Sequence, residues 1–112
     1  MALRTAPRRV ERVVRCAACR HALTRHDARL EIDGRHVHTF VNPHAYAFTI
    51  TCWHEAPGSV RAGPSSTEWT WFPGHAWTVV LCGGCAAHVG WAFDGTNSTE
   101  TFYGLVQDRI AE

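Results

Sequence analysis

The sequence predicts a small all-β domain clipped together by a metal ion. Two observations carry this: short β-branched and aromatic runs alternate with turn signals, and two Cys-x-x-Cys pairs, Cys16/Cys19 and Cys82/Cys85, stand near opposite ends of the chain. At 112 residues the chain forms one domain, small enough for a structural metal to supply much of its stability.

Residues 1–9 are Arg, Ala and Pro without periodicity and are expected to be a mobile tail, so the domain proper is placed at residues 10–108, with residues 109–112 as a C-terminal tail. Val10, Val13 and Val14 lead as a short strand into the first Cys pair. From Arg20 to Arg29 the mixture of polar and apolar residues fits a loop or one helical turn. Leu30 to Ile32 fits a strand ending at the Asp33-Gly34 turn. His36 to Val41 alternates with period two and Ala47 to Trp53 is a second β-rich run, so the two form an antiparallel pair across the compact turn Asn42 to Tyr46. Glu55 to Thr67, with its Ala-Pro-Gly and Gly-Pro-Ser signals, is expected to be irregular. Trp77 to Leu81, Val89 to Phe93 and Phe102 to Val106 are the remaining strands, with Asp94 to Ser98 as a turn and Gln107 to Glu112 as the tail.

In each Cys-x-x-Cys the two-residue spacing lets a backbone knuckle aim two sulfurs at one tetrahedral ion. The pairs lie roughly sixty residues apart, against the ~15–20 of a simple zinc ribbon, so one site joins the two ends of the domain. Four thiolates fill a tetrahedron and leave no position for water; Cys16, Cys19, Cys82 and Cys85 are therefore read as a structural zinc site. His88 is a spare ligand that a full cysteine set does not need. Cys52, in an apolar run without a partner, reads as a small buried residue.

Paired thiolates on zinc point to a reducing compartment, and the N-terminus lacks the apolar stretch of a secretory signal, so a cytoplasmic location is expected. No apolar run is long enough to span a bilayer, and no membrane partner is expected. A net charge of +1 supplies no field for nucleic acid, and the arginines cluster before residue 36 while the aromatics lie mostly after it. No general base, activated nucleophile or open metal position is evident, which argues against an enzyme.

Glu68 to Phe93 carries four of the five tryptophans beside the second Cys pair. Trp71 and Trp77 flank Phe72-Pro73-Gly74-His75, whose Pro-Gly is a turn signal, and Trp91 follows on the next apolar run. Several indoles, each with an N–H to satisfy, fit a small core poorly but fit the walls of a pocket well. Such a box suits either a quaternary ammonium, held by the negative ring faces, or a neutral cyclic imide, whose N–H and carbonyl reach a strand edge. The residues alone leave both open.

The series W-F-P-G-x-x-W-T, then C-x-x-C-x-x-H-x-G-W-x-F, closely resembles the thalidomide-binding (CULT) domain of cereblon, above all its stand-alone bacterial members, from Cys16 to the closing F-Y-G-L-V-Q-D-R-I. The resemblance implies two antiparallel sheets in a zinc-clipped β-tent and a three-Trp cage for a glutarimide or thalidomide-like ring. By it, Trp71, Trp77 and Trp91 are the cage, Phe93 its floor and Asn42 a rim residue, and Trp69 contributes through its backbone. Ala45 stands where a Gly, and His75 where a Tyr, is expected, which bears on rim and loop shape. The sequence leaves no room for cereblon's Lon-like domain or adaptor-binding segment, so no ubiquitin-ligase adaptor is expected from this chain alone. The same tent is shared by methionine sulfoxide reductases of the B type, but here Trp91 replaces a catalytic His and Thr101 to Gly104 holds no cysteine nucleophile. An aromatic-cage reader of methylated cations is the other alternative.

Overall fold

The computed structural model describes residues 12–112; the expected N-terminal tail and the expected domain start at Val10 lie outside them. The described residues form β1 (Val13–Cys16), β2 (Ala22–Arg25), β3 (Val37–Val41), β4 (Ala47–Trp53), β5 (Ser59–Ser66), β6 (His75–Cys82), β7 (His88–Gly95), β8 (Thr101–Val106) and β9 (Ile110–Ala111), with single 3-10 turns at His26–Ala28 and Gln107–Arg109. They assemble into two antiparallel sheets, a small one in the order β2-β1-β9 and a large one in the order β3-β4-β8-β7-β6-β5. The all-β, two-sheet architecture is thus as the sequence predicts. No helix among the described residues is long and apolar enough to cross a membrane.

Both faces of the large sheet are apolar, and strand alternation sorts them. One face packs against the small sheet through Trp53, Val80, Cys82, Val89, Ala92 and Leu105, meeting Val14, Cys16, Leu23 and Ile110. The other gathers Phe48, Ile50 and Cys52 of β4, Trp77 of β6, Trp91 and Phe93 of β7, and Phe102 and Val106 of β8. Trp53 anchors the first face. It is fully buried, lies edge-on to His26 and His36, and donates its indole N–H to Thr51 Oγ1 at 2.9 Å.

One irregularity decides which side chains share the second face. Val80 pairs with Gly90 but Leu81 pairs with His88, so Val89 is an extra residue in β7. In a regular strand His88 and Trp91, three positions apart, would point to opposite sides; the bulge turns them to the same side. Gly90 makes the bulge possible, because a Cβ there would lie 2.0 Å from the Gly104 carbonyl oxygen.

Four segments differ from expectation. Within Arg20 to Arg29, residues Ala22–Arg25 are a strand, β2, followed by a 3-10 turn; Leu23 and Thr24 are both buried, so no alternation announces it. Leu30 to Ile32 is not a ladder strand: its Leu30 N–H goes to the Cys52 carbonyl, and Ile32 and Arg35 bond each other across the tight Asp33-Gly34 turn. Most of Glu55 to Thr67 is β5, an edge strand exposed over most of its length, with a register shift between Ala62 and Ser66 around left-handed Gly63. The expected C-terminal tail instead ends in β9, which pairs Ile110 with Cys16 and Ala111 with Arg15 and buries Ile110. Two hydrogen-bonded residues suffice for a strand there, too few to leave a sequence pattern.

Truncating Trp53 empties the centre of the inter-sheet core and leaves Thr51 and two histidine edges unpacked. Trp53→Ala is expected to cost about 3–5 kcal/mol, whereas Trp69→Ala, at a residue 72% exposed, is expected to cost less than about 0.5 kcal/mol. Urea unfolding monitored by circular dichroism separates the two; equal midpoints for both variants would mean that Trp53 is not an anchor.

Candidate metal centre and aromatic cavity

The two Cys pairs sit on matched knuckles. In the first, Cys16 donates its N–H to His21 O and accepts from Arg20 N; in the second, Cys82 donates to Ala87 O and accepts from Ala86 N. The fifth residue of each, Arg20 (φ 73°) and Ala86 (φ 66°), is left-handed, which turns the chain back so that both sulfurs of a pair point inward. Gly83 and Gly84 let the knuckles meet: a Cβ on Gly84 would lie 2.8 Å from His21 Cβ, and one on Gly83 would lie 2.7 Å from Gly58 O.

The four Sγ atoms lie within 4.8 Å of one another, with Cys16 to Cys85 at 3.8 Å and Cys19 to Cys82 at 3.6 Å. These are too long for disulfides, whose sulfurs lie about 2.05 Å apart. They fit the ~3.8 Å edges of a tetrahedron with metal–sulfur bonds of about 2.3 Å. Thiol acidity agrees. At Cys82 burial opposes ionisation, but the N–H groups of Cys85 and Gly84 and the adjacent thiols outweigh it and bring the thiol down to about 7. At Cys19 the His21 N–H favours the thiolate, but burial and the other three sulfurs push it up to about 12. Sulfurs that crowd one another in this way suit the donor set of a cation. Cys52 lies apart in the aromatic face, where burial pushes its thiol up to about 12, so it is not a reactive thiolate at neutral pH.

On the far side of the large sheet lies an apolar cavity of about 290 Å³, lined by Asn42, Pro43, Phe48, Trp69, Trp71, Trp77, His88, Trp91 and Phe93. All six residues singled out from sequence for ligand contact therefore border one space. Trp71 and Trp91 meet edge to face at 4.8 Å, and Phe93 is buried beneath, edge-on to Phe72 at 4.8 Å and stacked on Phe102. Pro73 and Gly74 (φ 86°) form a tight turn closed by His75 N to Phe72 O, and residues 67–74, between β5 and β6, carry Trp69 and Trp71 outside the ladder. Trp77 donates its indole N–H to Glu68 O at 2.7 Å, tying that loop to β6. Trp69 (φ 59°) forms an exposed lip.

The two departures at the rim are absorbed locally. Ala45 takes the left-handed conformation (φ 67°) that a Gly would adopt, and Asn42 Oδ1 accepts the N–H groups of His44 and Tyr46, which leaves the Asn42 amide N–H groups as the donors of this turn. His75 is held between Glu100 Oε1 at 2.8 Å and Pro73 O at 3.3 Å. Pro43, Phe48 and His88 were not foreseen in the cavity. Phe48 was legible, since alternation along β4 sets it on the side of Ile50 and Cys52. His88 was not, because the Val89 bulge that turns it inward has no signature beyond Gly90.

No family model matches the chain. Over 74 residues, 63% of this chain, it is 38% identical to protein cereblon of Gallus gallus. The chain is similar to a segment of cereblon. Against cereblon of Xenopus tropicalis the identity is 39% over 80 residues, and against that of Drosophila erecta 35% over 102 residues, 85% of this chain. The matched segments make up 17%, 18% and 17% of these three proteins, so the chain corresponds to about a sixth of their length. It carries a cereblon-like domain with an aromatic cluster and a four-cysteine site able to hold a metal ion.

Because the cysteine cluster joins the ends of β1 and β6 in different sheets, metal binding and folding are expected to be coupled. Treatment with a strong chelator, or Cys82→Ser, is expected to abolish the cooperative thermal transition, while Cys52→Ala keeps the metal-to-protein ratio of the parent. A chelated sample that melts cooperatively at the original temperature would show the cluster to be dispensable for the fold.

Proposed function

We propose that this chain is a ligand-binding module that encloses a small neutral ring, a cyclic imide of the glutarimide type, between Trp71, Trp77 and Trp91 on a floor of Phe93. One structural zinc ion on Cys16, Cys19, Cys82 and Cys85 holds the fold, four thiolates being the donor set that zinc favours at closed tetrahedral sites. The observation that carries the reading is the apolar cavity bordered by all three tryptophans. Its volume lies at the small end of the ~300–1,000 Å³ typical of ligand sites, which favours a compact ring over an elongated molecule.

The rim supplies the few polar groups that orientation requires. The Asn42 amide can donate to a ring carbonyl, and the backbone of the Trp69 loop, outside the ladder, offers an edge for the imide N–H. A cation reader is the weaker choice: neither Glu68 nor Asp94 lines the cavity, and Asp94 is held by Arg61 at 2.6 and 3.0 Å and by Thr101. In this reading the protein binds rather than transforms its ligand, as the stand-alone bacterial CULT domains it resembles are expected to do.

A glutarimide has about eight heavy atoms, and at roughly −0.8 kcal/mol per atom its binding energy is near −6 kcal/mol, a dissociation constant of tens of micromolar. Trp77→Ala or Trp91→Ala is expected to abolish measurable binding by titration calorimetry while metal content and the thermal transition persist. N-methylation of the imide is expected to weaken binding sharply, since it removes the donor and adds bulk where the loop must approach. Equal affinity for glutarimide and its N-methyl form would overturn the pose, and stronger binding of choline than of glutarimide would overturn the ligand class.

A further inference from the structure

His88 and Arg109 form a polar pair at the wall of a mostly apolar cavity, His88 lining it and Arg109 standing behind. His88 lines the cavity and meets Trp91 edge to face at 4.8 Å. Its Nε2 lies 2.9 Å from the Gly90 carbonyl oxygen, which can only accept, so Nε2 carries the proton. Its Nδ1 faces Arg109 Nη1 at 3.5 Å, and the same Nη1 donates to the His88 carbonyl at 3.1 Å. A guanidinium can only donate, so Nδ1 must keep its lone pair. The two neighbours thus admit one form of the ring, neutral with Nε2–H; an imidazolium would set a second N–H against a fixed cation. Burial and Arg109 both disfavour protonation of His88, which agrees with the geometry.

Arg109 also reaches a second cavity residue. Its guanidinium carbon lies 5.7 Å from the centroid of the Phe48 ring, while Arg109 itself does not line the cavity. The side chain is half-buried and its backbone is anchored, because the Arg109 carbonyl accepts the Ala17 N–H of the first knuckle and Ile110 continues into β9. A permanent positive charge is therefore held one ring behind the cavity, bearing on His88 and Phe48.

We propose that Arg109 is a positioning residue that sets the specificity of the cage: by fixing His88 as the neutral Nε2–H tautomer and placing a cation behind Phe48, it turns an aromatic box that would attract ammonium ions into one selective for neutral rings. Indole faces draw quaternary ammonium groups, and a like charge in a partly buried wall opposes them, which is discrimination by built-in repulsion. The carbonyl-bearing rings of the proposed function suffer no such penalty. The inference rests on that reading for its neutral ligand but not for its chemistry, since the His88 tautomer and the exclusion of cations are measurable without any imide.

Two measurements test it. Long-range ¹H–¹⁵N correlation spectra of the metal-loaded wild-type protein at neutral pH are expected to show His88 as Nε2–H; an Nδ1–H tautomer or an imidazolium would overturn the proposal without recourse to any variant. Calorimetric titration of wild type, Arg109→Gln and Arg109→Lys with glutarimide and with choline is expected to raise the affinity for choline by about tenfold or more in Arg109→Gln, and to leave it near wild type in Arg109→Lys, which keeps the charge. Unchanged choline affinity in Arg109→Gln, or the same gain in both variants, would show that the charge plays no part in selection. Failure of wild type to bind glutarimide would instead count against the proposed function, with the tautomer and the choline response still deciding the role of Arg109.

Discussion

Four sulfurs, delivered by two knuckles of matching geometry, fix where the small sheet meets the large one. Cys16 ends β1 and Cys82 ends β6, so the cluster brings the end of a strand in each sheet to one point, beside an inter-sheet core of packed side chains. The strands behind each knuckle carry different duties. β1 recruits β2 and β9 and completes the inter-sheet core, whereas β6 presents Trp77 on one face and Val80 and Cys82 on the other. The cysteine cluster at one end of β6 and an aromatic wall near its other end thus share one strand, which links the geometry of the candidate metal site to that of the cavity.

The large sheet is unusual in that both faces bury apolar side chains, yet only one is covered by another sheet. The aromatic face is closed by its own rings and by the loop over residues 67–74, tied down through Trp77 Nε1 and Glu68 O. Phe40 stacks on Trp71, Phe72 packs edge-on against the stacked pair Phe93 and Phe102, and the ring-to-ring contacts hold the tryptophans at fixed angles. A cavity remains where this aromatic layer runs out towards Asn42 and Trp69. Concavity here is a consequence of large, stiff side chains that cannot collapse into the last gap.

Much of this was legible in the sequence, and the reasons are specific. The Cys spacing, the Pro73-Gly74 turn between two tryptophans, and the alternating runs of β3 and β4 are local patterns, each tied to a geometry that tolerates few substitutes. What escaped notice depended on tertiary context. β9 is a strand only because β1 is waiting for it. β2 buries consecutive residues because Leu23 enters the inter-sheet core while Thr24 is covered by the chain at Glu55, whose carbonyl its hydroxyl reaches, so it lacks a period. His88 enters the cavity only through the Val89 bulge, and the role argued for Arg109 requires knowing that a C-terminal residue returns to the first knuckle. Local propensity cannot report such long-range arrangements.

β5, the outer strand of the large sheet, has a further consequence for behaviour in concentrated solution. A bare strand edge is a template for pairing with another molecule, and a six-stranded sheet offers two such edges. On β5 the ladder is broken between Ala62 and Ser66, Gly63 bends the backbone, Pro64 has no N–H to offer, and Arg61 places a charge on the strand. The irregular Gly-Pro composition that hides this strand from pattern reading also makes it a poor seed for edge-to-edge assembly. An aromatic-rich domain of this size, with so much β structure, thereby carries its own protection against self-association along that edge.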